Sequence, residues 1–232
     1  MEGIVLIDKD KGMTSYDVIR VMKRKIRESG VEGKFKIGHS GTLDPIATGL
    51  LVVAVGKNFT KKLTEMIGLP KTYRVELEFG KESTTYDAEG ELSDVAGGGA
   101  GGDGLTDVAI TKVVQEKLTG KLSQMPPKFS AKKVGGRRAY DLAREGKEFK
   151  LQPKEIEVFE WRDVEVQWPK MTATIDCSSG TYIRSLVHDL GQELKVGAYM
   201  TELARLTVGD MSIDDAVKVD DWDPSSIESS HV

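Results

Sequence analysis

Six consecutive apolar residues at positions 50–55, LLVVAV, constrain the fold of this chain more than any other local feature. An apolar run of this length that is rich in β-branched side chains predicts a buried strand. Residues 72–79 alternate instead, and their apolar face carries Tyr73, Val75, Leu77 and Phe79. Such alternation predicts a half-buried strand. We therefore expect the chain to be built around a β-sheet.

Other segments extend this pattern along the chain. Apolar and alternating runs predict strands at 3–7, 156–166 and 171–177, of which the last two could form a hairpin. Helical spacing predicts helices from Thr14 or Ser15 to about residue 29, and at 57–67, 106–118, 139–144 and 182–194. The glycine tract at 96–104 predicts a mobile loop on an acidic hairpin. Because strands dominate and do not alternate strictly with helices, we expect an α+β fold rather than a doubly wound sheet.

Composition excludes several classes of protein. The 232 residues contain no apolar run of the roughly 18 residues that a membrane span needs. The N-terminus has no basic leader of the kind that opens a signal peptide, so we expect a cytoplasmic protein. One cysteine, Cys177, is too few for a disulfide framework or a cysteine-based zinc site, and the three histidines lack metal-ligand spacing. We expect neither a metal nor a cofactor.

Net charge argues at first sight against a nucleic-acid partner, because 33 Lys and Arg face 37 Asp and Glu, a net of −4. The average hides an uneven distribution. Residues 1–80 hold 14 basic and 10 acidic side chains, and residues 111–155 hold 12 and 5. We call these two stretches the basic segments. They could contact a polyanion, or they could be ordinary solvated surface.

The segment GHSGTLDPIATGLL at 38–51 is the densest candidate for chemistry. Its glycines allow tight turns and the close approach of another molecule. Asp44 precedes Pro45, which biases it towards an extended conformation and so aims its carboxylate. A single carboxylate on a rigid loop suits a nucleophile or a general base, although a turn or helix-capping role explains it equally well.

A second candidate is CSSGTYIRSLVHDLG at 177–191, where a strand ends and a helix begins. Arg184 lies in the first turn of that helix, where it could ion-pair with a catalytic carboxylate or bind a phosphate. An ordinary surface arginine is the alternative. Tyr73 could be a core residue or a platform for stacking on a base, and Lys9 could contact phosphate or only solvate a turn.

The segment PPKFSAKKVGGRRAYDLAREG at 126–146 lies at the centre of the second basic segment. It interleaves basic, aromatic and glycine residues, a pattern that suits a flexible segment contacting RNA, or a solvated loop. Its candidate RNA-binding side chains are Lys128, Lys132, Lys133, Arg137 and Tyr140.

Together with DKDKGMTS at 8–15 and KTYRVELEFG at 71–80, these segments resemble the TruB-type tRNA pseudouridine synthases. The motifs occur in the order that the family has, from about Lys9 to Leu206. The PPxxSAxK segment and the GTYIRSL ending resemble the stand-alone tRNA branch more than the guide-RNA branch represented by dyskerin.

The resemblance implies a pseudouridine synthase fold, in which a central, mostly antiparallel mixed sheet is flanked by helices and carries the active cleft. It implies that Asp44 is the essential carboxylate and that Arg184 pairs with it. Tyr73 would stack on the target uracil. The substrate-binding residues would be His39, Lys9, Leu203, Gly41 and Thr42. The implied partner is the T-arm of tRNA, with position 55 as the target.

The resemblance also sets an expected domain organisation. Residues 1–212 would form the catalytic domain, with an RNA-contacting insert at about 124–152, and residues 213–232 would form an acidic tail. The family usually carries a C-terminal PUA domain, and we expect this chain to lack one, either as a natural minimal form or as a truncation. The family also usually has Pro where this chain has Asp10. We expect a monomer that needs no protein partner.

Two alternatives to this enzyme are considered. A non-catalytic module that binds or folds tRNA could use the same fold, and in that case Asp44 would be dispensable. A hydrolase of the glycosidase type normally needs two carboxylates across one bond, and no second carboxylate accompanies the Asp44 segment. The sequence leaves open whether Asp44 attacks the sugar C1′, attacks C6 of the uracil, or acts by deprotonation.

Overall fold

A computed structural model describes residues 1–31, 33, 35–95, 105–130 and 132–227. The glycine tract at 96–104, for which a mobile loop is predicted, lies outside the described residues. The last five residues of the predicted acidic tail also lie outside them.

The described residues contain both helices and strands, and every predicted helix and strand is present. The helices are α1 Ser15–Glu28, α2 Lys57–Ile67, α3 Asp107–Lys117, α4 Ala139–Arg144 and α5 Ile183–Leu194. The strands are β1 Gly3–Lys9, β2 Ile37–His39, β3 Thr48–Val55, β4 Lys71–Phe79, β5 Lys81–Ser83, β6 Leu92–Asp94, β7 Gly120–Gln124, β8 Lys133–Val134, β9 Arg137–Arg138, β10 Lys154–Gln167, β11 Lys170–Cys177, β12 Ala198–Val208, β13 Met211–Ser212 and β14 Val217–Lys218. Mostly antiparallel strands with helices among them confirm the predicted α+β class.

The chain forms two compact units. The first unit comprises Met1–Tyr73 and the chain from Leu203 onward, and the second comprises Arg74–Glu202. The chain leaves the first unit within β4 and returns to it within β12. Within the described residues, no helix is both long enough and apolar enough to cross a membrane.

In the first unit, β3 is the central strand. It pairs antiparallel with β1 and with β2, and parallel with β12, while β14 adds to the far edge of β1. Every residue of β3 after Thr48 is buried, as the apolar run predicts. Leu50 and Val52 pack with Val208 of β12 in one apolar cluster. Thr14 caps α1 by accepting a hydrogen bond from the Asp17 amide, which decides between the two predicted caps.

The described part of the predicted tail packs on this first unit. Lys218 of β14 donates to Asp10 (2.6 Å) and forms an ion pair with Asp8 (2.7 Å). Trp222 is buried, and Lys25 of α1 donates to its carbonyl (3.0 Å). Asp10, which stands where the resembling family usually has Pro, thus has a charged partner close to the end of the chain.

In the second unit, the strands follow the order β4-β11-β10-β7. The predicted hairpin is present, since β10 and β11 pair antiparallel from Val158↔Cys177 to Gln167↔Lys170. Helix α3 packs against α5 and β10. Two short hairpins, β5–β6 and β8–β9, complete the unit, and the second lies within the predicted insert.

Candidate active site

Asp44 lies half-buried in the loop between β2 and β3, and the residues on both sides of it are tied to the start of α1. The Leu43 amide donates to the Ser15 hydroxyl (2.9 Å), and that hydroxyl donates to the Leu43 carbonyl (3.2 Å). On the other side, the Gly12 amide donates to the Pro45 carbonyl (2.8 Å). The Asp44 carbonyl accepts from the Ala47 amide (3.0 Å) in a turn. The carboxylate is therefore carried on a fixed backbone, as a nucleophile or base requires.

A buried arginine on β12 holds the two ends of the same loop. Arg205 is 1% exposed, and its Nε donates to the Leu50 carbonyl (2.7 Å) while its Nη2 donates to the Gly41 carbonyl (3.2 Å). Gly41 precedes Asp44 and Leu50 follows it. A charged side chain at this depth is stable only with strong hydrogen-bond partners, so Arg205 and the loop carbonyls fix one another.

Gly49 lets β3 approach β12 closely enough for this arrangement. Its φ is +95°, in the left-handed region, and it lies opposite Arg205 in the parallel pairing. A Cβ at this position would collide with the main-chain nitrogen and carbonyl of Arg205. Glycine is thus required here both for its backbone conformation and for the space it leaves.

Three residues that the resemblance places near the substrate are buried in the first unit. Lys9 is fully buried, and its Nζ donates to the carbonyls of Met13 (2.7 Å) and Asp10 (3.0 Å). Tyr73 and Leu203 are each 8% exposed. Lys9 therefore does more than solvate a turn, because it braces the loop that precedes α1.

The other expected substrate-binding residues lie on the Asp44 loop. His39 is half-buried, and its Nδ1 accepts a long hydrogen bond from the Gly41 amide (3.4 Å). Thr42 is exposed. Gly41 has a φ of +151° and, through its carbonyl, contacts Arg205. The Asp44 loop thus carries one half-buried histidine and one exposed threonine on the same side of Asp44 in the sequence.

Arg184 in the first turn of α5 is 4% exposed, which excludes an ordinary surface arginine. Its Nη1 donates to the Thr85 carbonyl (2.9 Å) and forms an ion pair with Asp87 (3.2 Å). Its Nη2 donates to the Phe129 carbonyl (3.0 Å) at the start of the insert. One buried guanidinium therefore joins three segments of the second unit.

The Asp87 loop between β5 and β6 is itself closely hydrogen-bonded. The Asp87 carboxylate accepts from the Thr85 hydroxyl (2.5 Å) and from the Glu89 amide (3.1 Å). Asp87 is 2% exposed, so its charge is balanced by Arg184 inside the protein rather than by water. The orientation of Arg184 therefore depends on the conformation of this loop.

The start of α5 is fixed by the end of β7. Tyr182, the residue before the helix, donates its amide to Gln124 Oε1 (2.8 Å), and Gln124 Nε2 donates to the Tyr182 carbonyl (3.0 Å). The Ser185 hydroxyl donates to the Met125 carbonyl (2.9 Å). These contacts supply partners to the helix terminus that carries Arg184.

The predicted RNA-contacting insert exposes most of its basic side chains, among them Lys128, Lys133 and Arg137. Arg137 pairs with Glu145, and hydrogen bonds from Arg137 and then Lys147 lower the pKa of Glu145 to about 2.

Lys132 and Tyr140 of the insert are half-buried and have partners inside it. Lys132 Nζ donates to the Gln152 carbonyl (2.9 Å), and the Arg144 guanidinium lies 5.5 Å from the centre of the Tyr140 ring. Among the five candidate RNA-binding side chains, Lys128, Lys133 and Arg137 are thus the exposed ones.

Comparison with known families decides the assignment. Residues 24–183 match the model of the TruB family pseudouridylate synthase N-terminal domain, and residues 184–227 match that of the tRNA pseudouridylate synthase B C-terminal domain. The chain belongs to the TruB family of tRNA pseudouridylate synthases. It is therefore an enzyme of the class that isomerises uridine to pseudouridine, as the motifs predict.

Curated relatives support the assignment of this chain to the TruB family. It is 42% identical over 224 residues to tRNA pseudouridine synthase B of Aquifex aeolicus, which covers 96% of this chain and 74% of the relative. It is 40% identical over 220 residues to the protein of the same name from Geobacter sulfurreducens, covering 95% and 68%.

Solved structures confirm the predicted pseudouridine synthase fold. A chain of a Cbf5–Nop10–Gar1 complex matches with a TM-score of 0.67 and 25% identity, covering 97% of this chain and 57% of that chain. A chain of the archaeal box H/ACA Nop10–Cbf5 complex matches with a TM-score of 0.65 and 24% identity, covering 94% and 52%. The TruB chain thus spans little more than half the length of these solved chains.

The structure divides the expected TruB site residues between its two units, and their pairing stays a prediction. Lys9, His39, Asp44, Tyr73 and Leu203 belong to the first unit. Arg184 and the insert belong to the second unit, so the pairing of Arg184 with Asp44 stays a prediction. No cluster of three or more His, Cys, Asp or Glu among the described residues could hold a metal ion.

Sequence reasoning missed two buried charges of the TruB chain, Asp87 and Arg205. Asp87 stands in an acidic stretch, where its charge looked like that of a solvated hairpin. Arg205 is a lone basic residue between Leu203 and Leu206, and this isolation among apolar residues is the signal that could have indicated its burial. A charge amid apolar residues of a strand is often buried with a structural partner.

Proposed function

We propose that the chain isomerises a uridine in the T-arm of tRNA, position 55 by the tRNA convention, through base flipping and carboxylate catalysis. The observation that carries the proposal is the Asp44 loop, which is anchored by Ser15, Gly12 and Arg205 around a single half-buried carboxylate. Relatives named tRNA pseudouridine synthase B support tRNA as the substrate.

Base flipping supplies access to the target. A uridine stacked in a folded arm must leave the stack, which costs a few kcal/mol. Stacking of the flipped uracil on the Tyr73 ring would offset part of that cost, since a base stacked on an aromatic side chain contributes about 1–3 kcal/mol. Leu203 would supply an apolar contact to the same base.

The reaction replaces the N1–C1′ bond of the nucleotide with a C5–C1′ bond. The N1–C1′ bond breaks, the base turns within the closed pocket, C5 bonds to C1′, N1 takes up a proton and a proton leaves C5. Asp44 would attack C1′, attack C6 or deprotonate the sugar, and all three routes place its carboxylate beside the ribose and uracil. Pairing with Arg184 would keep the carboxylate ionised.

RNA binding would rest on the two basic segments. Lys128 and Lys133 of the insert are exposed, and accessible lysines of this kind neutralise backbone phosphates. The proposed catalytic residues Asp44, Tyr73 and Arg184 all lie on this one chain.

The test is the Asp44→Asn variant assayed on an unmodified tRNA transcript, with mass spectrometry for pseudouridine and CMC-based mapping of its position. We expect the wild-type chain to modify position 55, and Asp44→Asn to bind the transcript with unchanged affinity but form no product. Asp210→Asn, an exposed aspartate in the same unit, is the matched control and should retain full activity.

Three outcomes would contradict the proposal. Wild-type levels of product from Asp44→Asn would remove the carboxylate from the mechanism. Product at a position outside the T-arm would replace the proposed substrate site. Absence of product from the wild-type chain, together with tight tRNA binding, would favour the non-catalytic module.

A further inference from the structure

An aromatic stack joins the Asp87 loop to α5 next to the Arg184 ion pair. The rings of Tyr86 and His188 have centroids 4.0 Å apart and lie 11° from parallel. Tyr86 immediately precedes Asp87, and His188 lies four residues after Arg184, on the same face of α5. The loop therefore meets α5 at two adjacent turns, once through an ion pair and once through stacked rings.

The backbone of this loop is held in an unusual conformation at Tyr86. Its φ is +67°, in the left-handed region that large side chains rarely adopt. The Tyr86 carbonyl accepts from the Met200 amide (3.0 Å), and the Ala88 amide donates to the Met200 carbonyl (2.9 Å). A bulky residue persists at such a position only when its surroundings stabilise it, and the stack with His188 is a contact that its ring makes.

The surroundings of His188 favour the neutral form of its ring. Its Nδ1 is buried and has no hydrogen-bond partner among the described residues. Burial also lowers the pKa of His188, which favours the neutral ring near neutral pH. A neutral imidazole stacked on a phenol ring is an apolar contact that fixes the spacing between loop and helix.

We infer that Tyr86, stacked on His188, is a positioning residue that holds Asp87 against Arg184 and thereby sets the orientation of the arginine used in pseudouridine formation. This inference rests on the proposed function. Neither ring is proposed to contact the uridine. The stack acts through Asp87 on Arg184, which is 4% exposed and bonded to the loop through Thr85 and Asp87, so it cannot reorient without moving the loop.

The test uses substitutions at Tyr86 that suit its backbone. Tyr86→Gly removes the ring while glycine adopts the left-handed conformation freely, so the chain should fold normally. We expect the single-turnover rate of pseudouridine formation to fall about tenfold to a hundredfold, with the KM for tRNA transcript changed less than about twofold. Tyr86→Phe keeps an aromatic ring at this position and should therefore retain most of the wild-type rate.

A double-mutant cycle separates positioning from general damage. If Tyr86 acts through Asp87, Tyr86→Gly should cause little further loss of single-turnover rate in an Asp87→Asn background. The reason is that the charge of Asp87 on Arg184 is already removed there. Thermal unfolding midpoints of all four proteins are measured alongside. Losses that multiply in the double variant would overturn the inference, as would a Tyr86→Phe rate as low as that of Tyr86→Gly.

The same assay distinguishes failure of this inference from failure of the proposed function. If the wild-type chain forms no pseudouridine in tRNA, the proposed function is wrong. If the wild-type chain forms it and Tyr86→Gly does so at an unchanged single-turnover rate, only the role of Tyr86 is wrong.

Discussion

Buried charges at single positions determine how the Asp44 loop and the Asp87 loop are held. Arg205 binds main-chain carbonyls at both ends of the first loop, and Arg184 binds a carboxylate and a carbonyl of the second. A buried charge that loses a partner costs several kcal/mol, which makes each contact strongly directional. The positions of the two loops are therefore set by a few buried charged residues.

Gly49 is the residue whose replacement should be most costly in the first unit. We expect Gly49→Ala to lower the free energy of unfolding by about 2–4 kcal/mol, because a Cβ would meet the Arg205 main chain at a positive φ. Urea denaturation measures the change. Gly135→Ala is the control, since Gly135 has φ +58° but no atom near its Cβ position, and it should cost about 1 kcal/mol. Equal losses in the two variants would contradict the close approach of β3 and β12.

Asp189 on α5 is expected to make stability depend on pH. Burial raises its pKa from 3.8 to about 6, with a contribution from Glu193, so the folded chain holds this proton more tightly than the unfolded chain. Stability contributed by the protonated form is thus lost as pH rises from about 4 to 6. Asp189→Asn should raise the free energy of unfolding by about 1 kcal/mol at pH 7.5 and leave it unchanged near pH 4.

Urea denaturation of both proteins at the two pH values measures this effect. Asp94→Asn, an exposed aspartate on β6, is the control and should change stability little at either pH. A gain from Asp189→Asn that is the same at both pH values would contradict the assigned cause.

At the scale of elements, periodicity predicted the helices well and the strands unevenly. The bounds of α2 agree with the prediction at both ends, since Gly56 precedes the helix and Gly68 follows it. Strand β12 was not predicted, because Glu202 and Arg205 interrupt its apolar pattern. Arg205 is buried through hydrogen bonds to carbonyls of a distant segment, and such partners are invisible to any local pattern.

The contact between α1 and the Asp44 loop gives a prediction at this scale. Ser15→Ala leaves the buried Leu43 amide without its hydroxyl partner, and an unsatisfied buried donor costs about 1–3 kcal/mol. We expect Ser15→Ala to lower stability by this amount, which urea denaturation measures. We also expect it to lower the single-turnover rate, which is measured by tritium release from a transcript labelled at uridine C5. Ser29→Ala, at the opposite end of α1, should leave the rate unchanged.

A rate that survives Ser15→Ala while stability falls would show that the hydroxyl stabilises the fold without positioning Asp44. A stability that does not change would show that another group satisfies the Leu43 amide.

For the whole molecule, the uneven charge predicts a salt dependence of RNA binding that the net charge of −4 conceals. We expect the logarithm of tRNA affinity to fall steeply with the logarithm of salt concentration. Lys133→Gln should reduce the magnitude of that slope by about 0.7–0.9, the value for one phosphate contact. Fluorescence-anisotropy titrations at several salt concentrations provide the measurement.

Lys195→Gln is the control, because Lys195 is exposed and lies outside both basic segments. A slope near zero for the wild-type chain would contradict the role given to the basic segments. Equal changes from the two substitutions would show that the insert has no special part in binding.

The candidate site itself could be predicted only in part. Asp44, Tyr73 and Arg184 stand in motifs whose order along the chain identified the family. Their supporting contacts could not be predicted, because Ser15, Asp87 and Arg205 come from distant segments that only the folded chain brings to them. Motifs indicate which groups are candidates for the chemistry, whereas tertiary structure determines what holds them.

The link from Arg184 to Phe129 is made through a main-chain carbonyl. Exchange of the phenylalanine for another residue would leave that acceptor in place, since every amino acid supplies one. A deletion or insertion of one residue just before it would move the acceptor by about 3.8 Å, beyond the reach of the guanidinium. Position 129 should therefore tolerate changes of side chain, while the spacing between β7 and Phe129 should tolerate no change of length.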